Sequence, residues 1–142
     1  LIDMGCKYDG YCSDMTRTIF MGCILEEIKP VYDLALKNLE LSTKEITDGY
    51  TIKTAANMVE SDFKVNGYNL IHALGHGVGL EVHELPFIRL KNEASFKENM
   101  VIADEPGIYL PGRYGIRIED TLLVTKNGSE RLTKSERGYV VI

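Results

Sequence analysis

Residues 1–20 read LIDMGCKYDGYCSDMTRTIF, and this stretch decides how the chain begins to fold. An Asp9-Gly10 pair between two strand-like segments is the strongest short-range signal for a β-hairpin turn. A turn at that point pairs Asp3 with Thr16 and places Asp14 diagonally across from Asp3 on the same face. The sequence therefore predicts a hairpin on which two carboxylates can reach one cation or a close pair of cations.

A second hairpin of the same character is expected further along the chain. Its arms lie near residues 100–109 and 116–125, and a turn centred on Gly112 places Glu105 opposite Glu119. Like charges directly opposite each other destabilise a sheet unless something compensates them. Two such acidic pairs, each flanked by apolar strand residues, therefore predict a cation site.

Two helices are predicted between the hairpins. Apolar residues recur at helical spacing from about Glu27 to Ile46 and again from Ile52 to Phe63. Thr51 is the expected N-cap of the second helix. Both apolar stripes are most simply explained as faces that pack against a core.

All three histidines of the chain lie in residues 70–83, which read LIHALGHGVGLEVH. The three glycines at positions 75, 77 and 79 make a continuous helix improbable. His72 and His76 therefore do not form the helical His-x-x-x-His pair of a zinc protease, and the glycine spacing does not match a dinucleotide-binding loop. The element order is acidic hairpin, two helices, histidine loop and acidic hairpin, which is an α+β chain.

The composition argues against several classes of protein. The chain has 142 residues, 44% of them hydrophobic, and a net charge of −5 without a basic run, so nucleic acid is not expected as a partner. No apolar stretch approaches the roughly 18 residues that a membrane span needs, and no signal peptide is recognisable. Cys6, Cys12 and Cys23 lack metal-binding or redox spacing and indicate free thiols in a reducing compartment. We therefore expect a cytoplasmic protein without nucleic-acid or membrane partners.

The chemistry of the acidic pairs and one histidine indicates two divalent metal ions. Four carboxylates carry about four negative charges, which two such ions would balance. Oxygen ligands with a single imidazole suit Mn²⁺, Co²⁺, Fe²⁺ or Zn²⁺. Two neighbouring ions can activate a water molecule and polarise a carbonyl, so the pattern favours a hydrolase.

Five short segments resemble, in order and spacing, the ligand motifs of the pita-bread metallopeptidases. That family includes Xaa-Pro aminopeptidases, prolidases, methionine aminopeptidases and creatinase. The segments are LIDMG with Asp3, GYCSDMTRT with Asp14, HALGHGVG with His76, EPGIY with Glu105 and GIRIEDT with Glu119. The resemblance runs over essentially the whole chain, and DMTRT and IRIED are similar to the proline-specific branch.

The resemblance implies a role for each ligand. Asp14 and Glu119 would bridge two metal ions, Asp3 would complete the shell of one ion, and His76 and Glu105 would complete the shell of the other.

Further site residues follow from the same resemblance. His72 and His83 are expected to contact substrate or stabilise the tetrahedral intermediate, and Glu105 is expected to accept the proton of the attacking water. Arg117, Tyr109 and Thr16 are expected to orient the ligands or line the pocket. Strand alternation sends Asp104 to the opposite face, so it is not expected to bind metal.

The implied fold is an α+β pita-bread fold that is incomplete at its N-terminus. Residues 1–142 would form the C-terminal part of the catalytic domain, because the family has a further helix pair upstream and the sequence begins at Leu1 in apparent mid-strand. An N-terminal domain, common in the proline-specific branch, would also be missing. We expect this chain alone to have weak activity or none.

The implied function is hydrolysis of the Xaa-Pro bond in dipeptides or at the N-terminus of longer peptides. The substrate would be a peptide with proline at its second position. The cofactor would be two divalent ions, with Mn²⁺ or Co²⁺ favoured over Zn²⁺ or Fe²⁺. The assembly would be a homodimer. A methionine aminopeptidase and a non-catalytic peptide-binding module of the same fold are the alternatives. The sequence does not distinguish a dipeptidase from an aminopeptidase that acts on longer peptides.

Overall fold

Two helices and a five-stranded antiparallel sheet form the centre of the structure. The computed structural model describes all of residues 1–142. The strands are β1 (Ile2–Met4), β2 (Lys7–Tyr8), β3 (Tyr11–Cys12), β4 (Met15–Arg17), β5 (Ile19–Phe20), β6 (Gly75–Gly77), β7 (Glu84–Ile88), β8 (Val101–Asp104), β9 (Gly107–Leu110), β10 (Tyr114–Arg117), β11 (Asp120–Thr125), β12 (Gly128–Arg131) and β13 (Val140–Val141). The helices are α1 (Lys29–Glu45) and α2 (Ile52–Val65). This mixture of elements confirms the α+β prediction.

The first hairpin has the predicted turn and register. Asp9 and Gly10 both adopt positive φ angles, 48° and 87°, which is the backbone of a tight hairpin turn. Beyond the turn β2 pairs with β3, and β1 pairs with β4 so that Asp3 lies opposite Thr16. The hairpin prediction is therefore confirmed.

The second hairpin has the predicted register, but its arms are interrupted. β9 pairs with β10 around a turn centred on Gly112, and β8 pairs with β11 in the same register. Between these pairs the backbone N–H of Glu105 donates to the carbonyl of Leu74 over 2.8 Å, and that of Glu119 donates to the carbonyl of Thr16 over 3.1 Å. The predicted continuous arms are thus wrong at the two acids, because their backbones bond to other parts of the chain.

Both predicted helices are present and cover one face of the sheet. The first begins at Lys29, two residues after the predicted start, with Pro30 in its first turn. α1 packs against β8, β9, β10 and β12, and α2 packs against β7. Thr51 occupies the predicted N-cap position of α2, although its side chain makes no capping hydrogen bond. Neither helix combines the length and apolar character that a membrane crossing requires.

The histidine loop forms no helix, as predicted, and it contributes the strand β6 to the interior of the central sheet. The sheet has the order β12-β11-β8-β6-β7, so β6 has a neighbour on each side. Gly75 at the start of β6 is buried, and a Cβ at this position would overlap the backbone carbonyl of Ala103 on β8. The absence of a side chain at Gly75 therefore sets how closely β6, which carries His76, approaches β8.

Substitution Gly75→Ala should destabilise the fold. The methyl group must push β6 away from β8, and overpacking of this kind costs about 2 kcal/mol or more of unfolding free energy. Urea unfolding followed by circular dichroism measures the change. Gly138→Ala is the control, because a Cβ at Gly138 meets no neighbouring atom within 4 Å. Equal unfolding free energies for the two variants would contradict the close approach at Gly75.

Candidate metal centre

The two hairpins meet along a contact that we call the hairpin seam. It consists of Asp14, Thr16 and Thr18 from the first hairpin and Arg117, Glu119 and Thr121 from the second. At its middle Thr16 and Glu119 form an antiparallel backbone bridge. On either side, threonine hydroxyls donate to backbone carbonyls, from Thr121 to Asp14 over 2.7 Å and from Thr18 to Arg117 over 3.0 Å. The seam thereby places the acidic residues of both hairpins side by side.

Carboxylates and imidazoles converge at the seam in three overlapping groups. The groups are Asp3–Asp14–Glu119, His76–Glu105–Glu119 and Asp14–His76–His83, and the ligand atoms within each lie within 4.8 Å of one another. The structure therefore brings all five predicted ligands together. Asp14, His76 and Glu119 each belong to two of these groups, so the groups form one continuous cluster. His83, expected only beside the substrate, also lies within reach of Asp14 and His76.

The buried carboxylate of Glu119 has one oxygen without a partner. Glu119 is 1% exposed, and its Oε2 accepts a hydrogen bond from the Thr16 hydroxyl over 2.5 Å. Its Oε1 is buried and has no hydrogen-bond partner. A buried, unsatisfied carboxylate oxygen is costly, and a cation removes that cost. The donor set and this free oxygen fit a divalent metal ion.

Burial and mutual repulsion raise the pKa values of the clustered carboxyl groups. Burial, then the neighbouring Glu119, raises the pKa of Glu105 to about 8. Burial is also the main cause that raises the pKa of Glu119 to about 7, with Asp14 and Asp3 adding to it. Burial, followed by the charge of Asp3, raises the pKa of Asp14. Because metal ligands must be deprotonated, a divalent ion would displace protons from this cluster near neutral pH.

Arg117 connects several of the predicted site residues. Its Nη2 donates to a carboxylate oxygen of Asp3, its Nε donates to the Thr16 hydroxyl over 3.0 Å, and its Nη1 donates to the Tyr109 hydroxyl over 2.9 Å. The Nε atom also lies 3.8 Å from a carboxylate oxygen of Glu105. Arg117, Thr16 and Tyr109 therefore form one network around the acids, as expected for residues that orient ligands.

The three histidines occupy different positions around the acids. The Nδ1 atom of His76 lies 2.9 Å from the carbonyl of Gly77, and its Nε2 lies 3.5 Å from Glu105. A proton on Nδ1 leaves Nε2 free as a metal ligand. His83 stacks near His76 with ring centroids 4.3 Å apart. His72 belongs to none of the three groups, and its Nε2 lies 3.1 Å from the Tyr109 hydroxyl.

A cavity of about 510 Å³ borders the cluster on the side of Asp3 and Asp14. Cys6, Lys7 and Val82 line other parts of its wall. This volume is within the range of small-molecule sites and can hold a short peptide.

A second group of buried charges lies on the opposite face of the strands and was missed by the sequence analysis. Asp104 contacts the Ser42 hydroxyl of α1 over 2.5 Å, which agrees with its expected place away from the ligands. Asp120, its partner across the sheet, forms ion pairs with Arg17 and Arg137. Strand alternation already puts Asp120 on the apolar face of its strand, and an acid among core residues is the signal that could have revealed this cluster.

The fold and the site together define a class of protein. A histidine loop between two acidic hairpins, with a buried cluster of carboxylates and imidazole, is the arrangement of a metal-dependent peptidase with the pita-bread fold. The family model for metallopeptidase family M24 matches residues 1–126, and the chain belongs to that family.

Individual relatives agree with this assignment. The chain is 45% identical to the Xaa-Pro dipeptidase of Pyrococcus furiosus over 139 residues, which covers 96% of the chain and 40% of the relative. Its structure is similar to an X-Pro aminopeptidase from Thermotoga maritima, with a TM-score of 0.95, 39% identity, and coverage of 99% of this chain and 40% of that one. A methionine aminopeptidase from Thermotoga maritima has a TM-score of 0.85 and 27% identity, with coverage of 94% and 62%. The chain spans about 40% of the length of the first two of these proteins.

Substitution Glu119→Gln should greatly weaken metal binding. The amide keeps the size of the side chain but loses the negative charge, which belongs to two of the three ligand groups. Loss of a residue that only supports a metal ligand already weakens metal affinity by up to about 100-fold, so we expect a loss of at least about 100-fold here. Titration calorimetry with MnCl₂ or CoCl₂ measures it. Glu130→Gln is the matched control, since Glu130 is exposed on β12. Wild-type affinity in the Glu119 variant would remove Glu119 from the site.

The pH dependence of folding should report on Asp104. Burial raises the pKa of Asp104 to about 8, so the folded chain keeps a proton that the unfolded chain releases above its ordinary pKa of 3.8. Stability from this group is therefore lost as pH rises from about 4 to about 8. Asp104→Asn removes the titrating group. The free energy of unfolding of the variant, relative to that of wild type, should therefore be higher at pH 8 than at pH 5 by about 1 kcal/mol or more. Urea unfolding in EDTA tests this, and an equal difference at both pH values would contradict it.

Proposed function

We propose that this chain carries the metal-binding part of a peptidase that hydrolyses the bond between an N-terminal residue and proline. The observation that carries the proposal is the convergence of Asp3, Asp14, His76, Glu105 and Glu119 in overlapping groups of ligand atoms. The names of the relatives, an Xaa-Pro dipeptidase and an X-Pro aminopeptidase, support the choice of bond. Residues 1–142 would then be the C-terminal part of a longer catalytic domain. Its cytoplasmic location and homodimeric assembly stay predictions from the sequence.

The proposed cofactor is a pair of divalent ions, with Mn²⁺ or Co²⁺ ahead of Zn²⁺ or Fe²⁺. Asp14 and Glu119 would serve both ions, Asp3 would complete the shell of one ion, and His76 and Glu105 would complete the shell of the other. When bound, such ions polarise the substrate carbonyl and lower the pKa of water. The oxygen-rich donor set with one imidazole is the basis for this choice of metals.

Glu105 is the residue best placed to move a proton. It is half-buried, its carboxylate lies 3.5 Å from His76 and 3.8 Å from Arg117, and burial gives it a raised pKa. A carboxylate at this position in the cluster can take the proton of the attacking water and give it to the leaving nitrogen. Hydrolysis before proline releases a secondary amine, which needs this proton to leave.

The two other histidines and Tyr109 would bind and orient the substrate. His83 lies over His76 beside the ligand cluster, and His72 lies on another side of it, held by the Tyr109 hydroxyl. Arg117 links Tyr109 to Asp3, so the substrate-facing side chains and the ligands share one hydrogen-bond network. These contacts fix the positions of donors that can stabilise negative charge on the substrate oxygen.

Two alternatives are weaker. A methionine aminopeptidase shares the fold, but the similarity is lower at 27% identity. A non-catalytic peptide-binding module would not need a complete set of metal ligands, and this chain has all five.

A peptide panel tests the proposal. With Mn²⁺ or Co²⁺, the full-length polypeptide that carries this chain should hydrolyse Leu-Pro or Leu-Pro-Gly at least about 10-fold faster than Met-Ala-Gly, a difference of about 1.4 kcal/mol in activation free energy. Chromatography of the released amino acids measures both rates, and the ratio of the two proline peptides separates a dipeptidase from an aminopeptidase. We expect the 142-residue chain alone to be much slower.

The other outcomes of this panel identify the alternatives. Faster cleavage of Met-Ala-Gly would indicate a methionine aminopeptidase. Metal binding without hydrolysis of any peptide by the full-length polypeptide would indicate a binding module.

A further inference from the structure

We infer that Arg17 is a positioning residue for the metal centre, which it supports from the face of the hairpin seam opposite the ligands. Its guanidinium fixes the backbones of Thr16 and Glu119 to each other and to the C-terminal tail, residues 132–142. This inference rests on the proposed function, because it matters only if Glu119 binds metal.

The guanidinium of Arg17 is buried and fully used. The residue is 6% exposed, although a guanidinium is costly to bury unless its donors are satisfied. Its acceptors are the backbone carbonyls of Thr16 (2.8 Å), Glu119 (2.6 Å), Ser135 (3.0 Å) and Glu136 (2.7 Å) and the carboxylate of Asp120 (2.7 Å). These five acceptors match the five N–H donors of the group, so the burial of Arg17 is explained by this set of contacts.

Two of these acceptors form the backbone bridge of the hairpin seam. The Nη1 atom of Arg17 donates to the carbonyls of both Thr16 and Glu119, which are the bridged residues. The hydroxyl of the same Thr16 donates to the Glu119 carboxylate. The side chain of Arg17 leaves β4 on the face opposite that of Thr16, since adjacent strand residues alternate. Arg17 therefore holds the bridge from behind, and a shift of the bridge would move the carboxylate of Glu119.

Asp120 balances the buried charge of Arg17 and fixes the orientation of its guanidinium. Asp120 is buried, and its two carboxylate oxygens pair with different arginines, one with Arg17 over 2.7 Å and the other with Arg137 over 2.5 Å. Because Asp120 follows Glu119 in the chain, this ion pair also fixes the strand immediately beyond the ligand. A lysine at position 17 would keep the charge near Asp120 but could not reach acceptors spread over two hairpins and the tail.

The contacts to Ser135 and Glu136 bring the C-terminal tail into the support of the site. These carbonyls bond to Arg17 itself, and the next residue, Arg137, bonds to Asp120 and to Thr43 of α1. The tail therefore closes over the buried guanidinium on the side away from the cavity. Through Arg17, the tail supports the strands that carry Thr16 and Glu119.

Binding of Co²⁺ tests the inference, because its visible absorption spectrum reports the geometry of the ligands. The variants are Arg17→Gln, Arg17→Lys and the matched control Arg137→Gln, which also removes an ion pair with Asp120 but touches neither Thr16 nor Glu119. Each is titrated with CoCl₂ at a temperature where circular dichroism shows it folded. We expect both Arg17 variants to bind Co²⁺ about 10- to 100-fold more weakly with an altered spectrum, while Arg137→Gln keeps the wild-type spectrum and affinity within about threefold.

The possible results separate three explanations. Wild-type affinity and spectrum in a folded Arg17 variant would overturn the inference. An equal loss in Arg137→Gln would overturn it as well, since the effect would then come from Asp120 or from general stability. If Arg17→Gln does not fold, Arg17→Lys, which retains a cation beside Asp120, decides the question alone. A wild-type chain that binds no Co²⁺ would overturn the proposed function, and this inference with it.

Discussion

The hydrogen bonds between Thr16 and Glu119 are the interaction on which the rest of the structure depends. These residues are 103 positions apart, and their contact is what brings the first hairpin beside the second. Asp3 reaches the site because it is paired with Thr16, and Asp14 reaches it from two residues further back along the same hairpin. The two helices and the histidine loop lie between Thr16 and Glu119 in the sequence. Their packing must therefore bring these two residues to positions where they can bond to each other. Loop closure of that length costs entropy that the sheet and the helical core must offset.

Two neighbouring acids show how the protein treats charge on the two faces of one strand. Asp120 faces the helices and is balanced within the fold by arginines. Glu119 faces the other way, and one of its buried oxygens has no partner. Both carboxylates are buried to the same degree. Asp120 and Glu119 therefore differ in whether the protein places arginine side chains against their oxygens, not in their exposure to water. The fold supplies arginines to Asp120 but no partner to the free oxygen of Glu119, where a metal ion could bind.

The sequence was sufficient for those features that local chemistry determines. Asp9-Gly10 specifies its turn through backbone conformation alone, and the register that follows sets Asp3 against Thr16 whatever the rest of the chain does. The two helices could be located from their periodicity, and the four acids and one histidine from motif resemblance. Register within the first hairpin explains why Asp3 and Asp14 lie together, whereas the roles of all five residues as ligands stay a prediction.

Long-range contacts account for what the sequence did not reveal. The arms of the second hairpin break at Glu105 because its backbone bonds to Leu74, a partner that strand periodicity cannot identify. Arg17 resembles any surface arginine in a strand until the tail and Asp120 are placed around it. His83 lies within reach of Asp14 only because the loop folds back over β6. In each case the decisive neighbour is far away along the chain.

The separation of the two halves of the hairpin seam also bears on how the site forms during synthesis. Asp3 and Asp14 leave the ribosome before Glu119 and the tail carbonyls that hold Arg17. During translation the early acids are therefore a solvated pair on an isolated hairpin, which has little stability of its own. A complete set of ligands exists only when nearly the whole chain is available to fold. Capture of a metal ion by these side chains would therefore have to follow the synthesis of Glu119.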